Sequence, residues 1–176
     1  PMKSDSDTTN YENHNLWILD EKLNFTELVA SDKGIDKRGE NRSDLIIFDK
    51  KMVYRSGSEK SNPVTIFEFK KPLRYDFVNL SAKEDPVDQI LRYARKIRLE
   101  GYETPEGRKI SIDENTPFYG YVICDFNNKV REWLLAKEFT PMPDKEGFMR
   151  NFSNNKIYVE VLSWDKILKD AGLRNK

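Results

Sequence analysis

Hydrophobic positions in the first third of the chain recur at helical spacing. In "NLWILDEKLNFTELVA", Leu16, Leu19 and Leu23 fall on one stripe, widened by Trp17, Ile18, Phe25 and Leu28, which predicts an amphipathic helix over 15–30. Gly34 and Gly39 among charges then predict a loop. The pattern changes at "SDLIIFD" and again at "PVTIFEF", two short, β-branched, nearly continuous apolar runs separated by the turn-rich "RSGSEKSN". Such runs predict strands of a sheet covered on both faces.

Further along, "AKEDPVDQILRYARKIRLEG" puts Val87, Ile90, Leu91, Ala94, Ile97 and Arg98 on one face, with Pro86 in the first turn and Gly101 past the end. This predicts a well-bounded helix. "YETPEGRKISIDENTP" reads as a loop or small hairpin, "FYGYVICDF" as a third buried strand, and "NKVREWLLAKEF" as a short helix. Strand, helix, strand in that order predicts a crossover between parallel neighbours. Turn signals at "PDKEG" and "SNNK" divide the C-terminal aromatic and β-branched runs into a meander. A final helix follows in "WDKILKDAGLRNK", with Ser163 as N-cap and Gly172 as its stop.

With 176 residues, 38% hydrophobic and 12% aromatic, one domain with a real core is predicted over 12–176. The polar opening "PMKSDSDTTN" predicts a disordered linker or cloning remnant over 1–11. No run nears the roughly 18 apolar residues a membrane helix needs, so a soluble, cytoplasmic protein without a membrane partner is expected. Cys124, the single cysteine, allows no internal disulfide or thiolate cluster and reads as a buried, inert thiol. Thirty Lys plus Arg balance thirty Asp plus Glu, so overall charge does not point to nucleic acid.

Local charge is more telling. Glu68 and Lys70 lie two apart in the apolar strand "VTIFEFKKP" and therefore share a face. Buried charges are rare unless paired or used. Asp44 heads the preceding strand; if the two strands pair, two carboxylates and an ammonium converge. Close carboxylates repel unless a cation lies between them. An all-oxygen set suits Mg²⁺ or Mn²⁺ rather than zinc, and His14, the only histidine, leaves histidine triads poorly supplied. The plainer alternative is a solvent-exposed strand-end salt bridge contributing about 0–1 kcal/mol.

The pattern resembles the PD-(D/E)XK nuclease superfamily: an acid at the start of one strand (Asp44), then acid, any residue, lysine on the next (Glu68, Lys70). Ser43 stands where the family often has proline. Acid-x-lysine alone is weak, since Asp20 with Lys22 and Asp49 with Lys51 also fit. Gln89 and Tyr93, four apart on the following helix, are similar to the glutamine–tyrosine element of the RecB-like and λ-exonuclease-like branch. The resemblance implies an α/β fold, a three-layer α/β/α sandwich with a central mixed sheet of the restriction-endonuclease-like kind, acting as a DNase. It further implies that Asp44, Glu68 and the Phe69 carbonyl hold Mg²⁺ (or Mn²⁺), with Glu21 or its neighbour Asp20 as a possible extra acid, and that Lys70 orients the attacking water. Gln89 and Tyr93 would assist, although core packing accounts for Tyr93 as well.

For DNA, Lys71, Arg74, Arg92, Arg95, Lys96 and Arg98 are the candidate phosphate contacts, with Asp88 expected to pair with Arg92. A solvated helix face is the commoner meaning of such a run. Asp125 reads as a cap for the next helix. The chain as a whole also resembles the C-terminal nuclease-like segment of large bacterial proteins that begin with a GHKL-type ATPase module, which implies such a module as a partner. Two other functions fit the same residues: a catalytically silent nuclease-fold module that binds DNA, and an interaction domain that docks through Phe148, Phe152, Tyr158 and Trp164.

Overall fold

The computed structural model describes residues 26–31, 45–49, 63–78, 85–103, 109–110, 112 and 115–174. Their strands are β1 (Thr26–Ser31), β2 (Leu45–Asp49), β3 (Val64–Phe69), β4 (Tyr102–Glu103), β5 (Lys109–Ile110), β6 (Phe118–Cys124), β7 (Thr140–Pro141), β8 (Gly147–Phe152) and β9 (Ile157–Ser163). The helices are α1 (Pro86–Glu100), α2 (Asn128–Ala136) and α3 (Trp164–Arg174). Seven strands form one mixed sheet in the order β1-β2-β3-β6-β9-β8-β7, and β4 and β5 form a separate small hairpin. The chain is thus of the α/β class.

The parallel strands β3, β6 and β9 lie at the centre, in a register that aligns their carboxyl ends: Phe69 opposes Ile123, which opposes Leu162. The crossover from β3 to β6 runs through α1, as the strand–helix–strand order requires. β2 pairs with β3 in antiparallel fashion, with Leu45 opposite Phe67.

α1 begins where Asp85 caps it, its carboxylate accepting from the amides of Val87 and Asp88, and ends at Gly101, whose φ of 73° only glycine adopts freely. Its inner face buries Val87, Ile90, Tyr93, Ala94 and Ile97. Burying each of Val87, Ile90 and Ile97 contributes roughly 1.5–3 kcal/mol. The helix comes close because β6 has no side chain at Gly120, where a Cβ would lie 2.6 Å from Ile90 Cγ2.

Side chains alternate along β3. Val64 and Ile66 join the cluster that contains α1 and α2 residues, whereas Phe67 joins a second cluster with Ile123, Leu162 and Ile167 of α3. Both faces of β3 are therefore covered, as its continuous apolar run predicts.

Residues 26–30, the end of the predicted first helix, are instead strand β1, paired antiparallel with β2. The register shifts between Thr26 and Leu28, leaving Glu27 as an extra residue. Beyond it the apolar run in register is only Leu28–Ala30, too short for periodicity to tell strand from helix. The rest of that predicted helix and the linker assigned to 1–11 lie outside the described residues. Ser163 caps α3, its hydroxyl accepting from the Lys166 amide at 3.0 Å. Gly172 does not stop this helix, which runs on to Arg174; a glycine inside a helix is tolerated at a cost of about 1 kcal/mol relative to alanine. Among the described residues no helix is long and apolar enough to cross a membrane.

Candidate functional site

The alternation that turns Val64 and Ile66 toward α1 does the same for Glu68 and Lys70. Lys70 Nζ donates to Glu68 Oε1 at 2.9 Å and to Gln89 Oε1 of α1 at 3.3 Å. Only 7% of the Glu68 side chain and 12% of the Lys70 side chain are exposed. This is not the solvent-exposed strand-end bridge that the sequence also allowed. Charges this deep carry a desolvation penalty of several kcal/mol each, and their attraction repays it only when geometry and further hydrogen bonds are good.

The surroundings hold this end of β3 in place. Lys70 N donates to Ile123 O at 2.8 Å, extending the ladder with β6 by one residue. Trp164 Nε1 donates to Lys70 O at 2.9 Å, and its ring stacks on Phe69, which stacks on Phe67. Gln89 is fixed through α1, where its amide donates to Asp85 O at 2.9 Å.

Asp85 is itself the centre of a network: Oδ2 accepts from Trp133 Nε1 at 3.1 Å and from Lys137 Nζ at 2.9 Å, tying the start of α1 to α2. Burial opposes the Lys137 charge, but the carboxylates of Asp85 and Asp88 more than offset it and raise the amine above its ordinary pKa.

Beyond Lys70 the chain turns. Arg74 N donates to Lys71 O at 3.1 Å, closing a four-residue turn with Pro72 second and Leu73 third. Leu73 has φ 62°, a left-handed value that costs a non-glycine residue about 1–2 kcal/mol. Its amide donates to Asp125 Oδ2 at 2.7 Å. Asp125 therefore holds this turn, and the cap of α2 is Asn127, whose side chain accepts from the Val130 amide at 2.9 Å. Cys124, beside it, is buried, and burial together with the Asp125 charge pushes its thiol up to about 12, against a smaller opposing effect of Lys70.

Of the predicted site residues, Glu68, Lys70 and Gln89 come together. Tyr93, one turn beyond Gln89, is 4% exposed within the α1 cluster, so packing accounts for its ring. Asp44, Asp20 and Glu21 lie outside the described residues. Asp44 is, however, the chain neighbour of Leu45, and Glu68 of Phe67, the two residues that oppose each other across β2 and β3. Among the described residues no three histidine, cysteine or acidic side chains gather as a cation cage.

The basic residues divide. Lys71, Arg92 and Arg95 are exposed, and Lys96 is half-buried. Arg74 donates to Asp76 at 2.6 Å, an exposed pair in which Arg74 holds the Asp76 carboxyl below its usual pKa. Arg98 is committed to structure: its guanidinium lies 4.3 Å from the Phe118 ring centre and donates to the carbonyls of Thr116 and Lys156. Asp88, expected to pair with Arg92, accepts from Lys137 Nζ at 3.0 Å.

The aromatic residues that suggested a docking hairpin are used internally. Phe148 is 3% exposed and packs edge-on to Phe126, Phe152 packs edge-on to Phe139, Tyr158 donates to Met149 Sδ, and Trp164 serves Lys70 and Phe69. Four residues of this neighbourhood were not apparent from sequence: Leu73, Trp133, Lys137 and Trp164. The Asp-Pro pair at Asp85–Pro86 signals a capped helix start, but nothing local announces the side chains that reach it from α2. Comparison of the chain with protein-family models, with curated proteins and with solved structures finds no match.

Proposed function

We propose that the chain is a Mg²⁺- or Mn²⁺-dependent DNase domain of restriction-endonuclease-like, three-layer α/β/α architecture. The observation that carries this reading is the buried Glu68–Lys70 pair at the carboxyl end of a central parallel strand, with Lys70 shared by Gln89 of the helix that follows. Crevices at the carboxyl ends of parallel strands are where open α/β sheets bind ligands. A charged pair kept there against its desolvation penalty is more economically explained by use than by stability.

The donor set suits a hard divalent cation. Glu68 supplies a buried carboxylate, Asp44 is a second carboxylate at the chain position next to Leu45, and the Phe69 carbonyl and Glu21 complete the proposed oxygen ligands. When bound, the cation would supply an acidified water and polarise the scissile phosphate. Lys70 is a donor that can exchange a side-chain partner for a phosphoryl oxygen or the attacking water, and Gln89 would hold that ammonium in position. A GHKL-type ATPase module in the same full-length protein is the proposed partner, with cutting under its control.

The test is digestion of plasmid and linear DNA with Mg²⁺ or Mn²⁺ by the wild type, Glu68→Ala and Lys70→Ala. Each variant should lower cutting by about 10²–10³. Cutting unchanged in both variants would overturn the assignment. DNA binding with no cutting by the wild type in either cation would mark a silent binding module.

A further inference from the structure

Resting on the nuclease reading, we propose that the turn Lys71–Arg74 is a duplex-DNA probe, with Leu73 as an apolar wedge that enters the base stack and Lys71 and Arg74 as its phosphate anchors. The turn has proline second and a positive φ third, the arrangement of a type II turn, whose third position calls for glycine. Here it holds leucine, with 79% of the residue exposed. The other non-glycine residues with positive φ among those described are Glu138, Lys145 and Lys156, all polar and suited to solvent. Leu73 combines backbone strain with an apolar side chain in water. Strain of this kind persists where the surrounding structure enforces it, and it is concentrated at functional sites.

The turn is also held rigidly, as a wedge must be. Lys70 O is bound by Trp164 and Lys70 N by Ile123 O at its base. At the tip, Asp125 Oδ2 accepts from the Leu73 amide at 2.7 Å, a charge-assisted bond that favours the strained conformer. Leu73 follows Lys70 by three residues, so the wedge stands beside the proposed chemistry. The flanking Lys71 is an exposed cation; Arg74 is exposed too and paired with Asp76 at 2.6 Å, a surface pair that a phosphate can replace at little cost, and Pro72 is exposed as well. Apolar wedges flanked by cations partly unstack a duplex step and bend it, which exposes the backbone to a neighbouring site. A protein surface would be served by Leu73 equally, but the exposed Lys71 ammonium and the Arg74 guanidinium, whose surface pair with Asp76 a phosphate can replace, favour a polyanion.

The experiment uses the whole chain in EDTA, so that nothing is cut, with a short DNA duplex carrying a fluorescent adenine analogue that brightens when unstacked. The wild type should bind and brighten the duplex. Leu73→Gly and Leu73→Asn, both compatible with positive φ, should match or exceed the wild-type melting temperature, abolish the brightening and weaken duplex binding by about tenfold, while single-strand binding stays unchanged. Lys71→Ala should lower the slope of log affinity against log salt by about 1. Brightening and duplex affinity unchanged in both Leu73 variants would overturn the wedge while leaving the nuclease reading to the Glu68→Ala test. Duplex and single-strand binding lost together would also overturn it, by showing a structural role. A wild type that binds no duplex in EDTA would overturn the wedge, while the nuclease reading stands or falls with the digestion series in Mg²⁺ or Mn²⁺.

Discussion

Asp85 and Glu68 are both buried carboxylates with a lysine nitrogen at 2.9 Å, one capping α1 and the other facing it from β3. Their partners differ in kind. Asp85 is held by two backbone amides of its own helix, by the Trp133 indole and by Lys137, so two of its donors belong to the backbone and cannot leave without unwinding a helix end. Glu68 meets the tip of a lysine side chain, and that same ammonium is shared with the neutral amide of Gln89. Side-chain donors can turn toward a ligand at little expense to the backbone. Burial of an ion pair therefore does not distinguish a structural cluster from a site; what the partners are attached to does.

Three measurements would break or sharpen this contrast. Asp85→Ala removes the cap, leaves the Trp133 indole without its acceptor and leaves the half-buried Lys137 ammonium to Asp88 alone, so urea denaturation should show a loss of roughly 2–4 kcal/mol. A loss below about 1 kcal/mol would remove Asp85 from the structural side of the comparison.

The double variant Glu68→Leu with Lys70→Met replaces the pair by apolar groups of similar volume. Its stability should change by no more than about 1 kcal/mol, in either direction, while cutting is abolished. A loss above about 3 kcal/mol would make that pair structural too.

The third measurement concerns alkali. The folded pKa of Lys137 lies above 10.5, so its contribution is complete below the unfolded value and disappears as pH rises through the folded one. The Cys124 thiol ionises near 9.0 in the unfolded chain and near 12 in the folded protein, so the unfolded state releases its proton first and stability falls between those values. Both signs agree: denaturation midpoints should decline above pH 9.0. Lys137→Met should blunt the upper part of the decline, and a thiol reagent should label Cys124 only in denaturant. Rapid labelling of the native protein would contradict its burial.

Features governed by chain-local geometry were legible in the residues. The Asp-Pro start and Gly101 end of α1, the two-sided burial of β3, the parallel crossover to β6, and the shared face of Glu68 and Lys70 all follow from periodicity, capping and the φ/ψ limits of single residues. A site role for Gln89 is only what the family resemblance implies; its bond to Lys70 comes from the packing of α1 over Gly120.

Other features depended on which elements became neighbours. β1 is a strand because β2 offers it an edge, although the apolar run Leu28–Ala30 is too short to announce a strand by itself. Asp125 reaches a turn 52 residues away in place of its own helix, Trp164 reaches Lys70 across 94, and Lys137 takes Asp88 across 49 in place of Arg92. Periodicity encodes which face of an element is apolar, but a polar side chain at an element's end bonds to whatever the sheet order brings beside it. Strand order and register are global outcomes, and they decided what holds this site together.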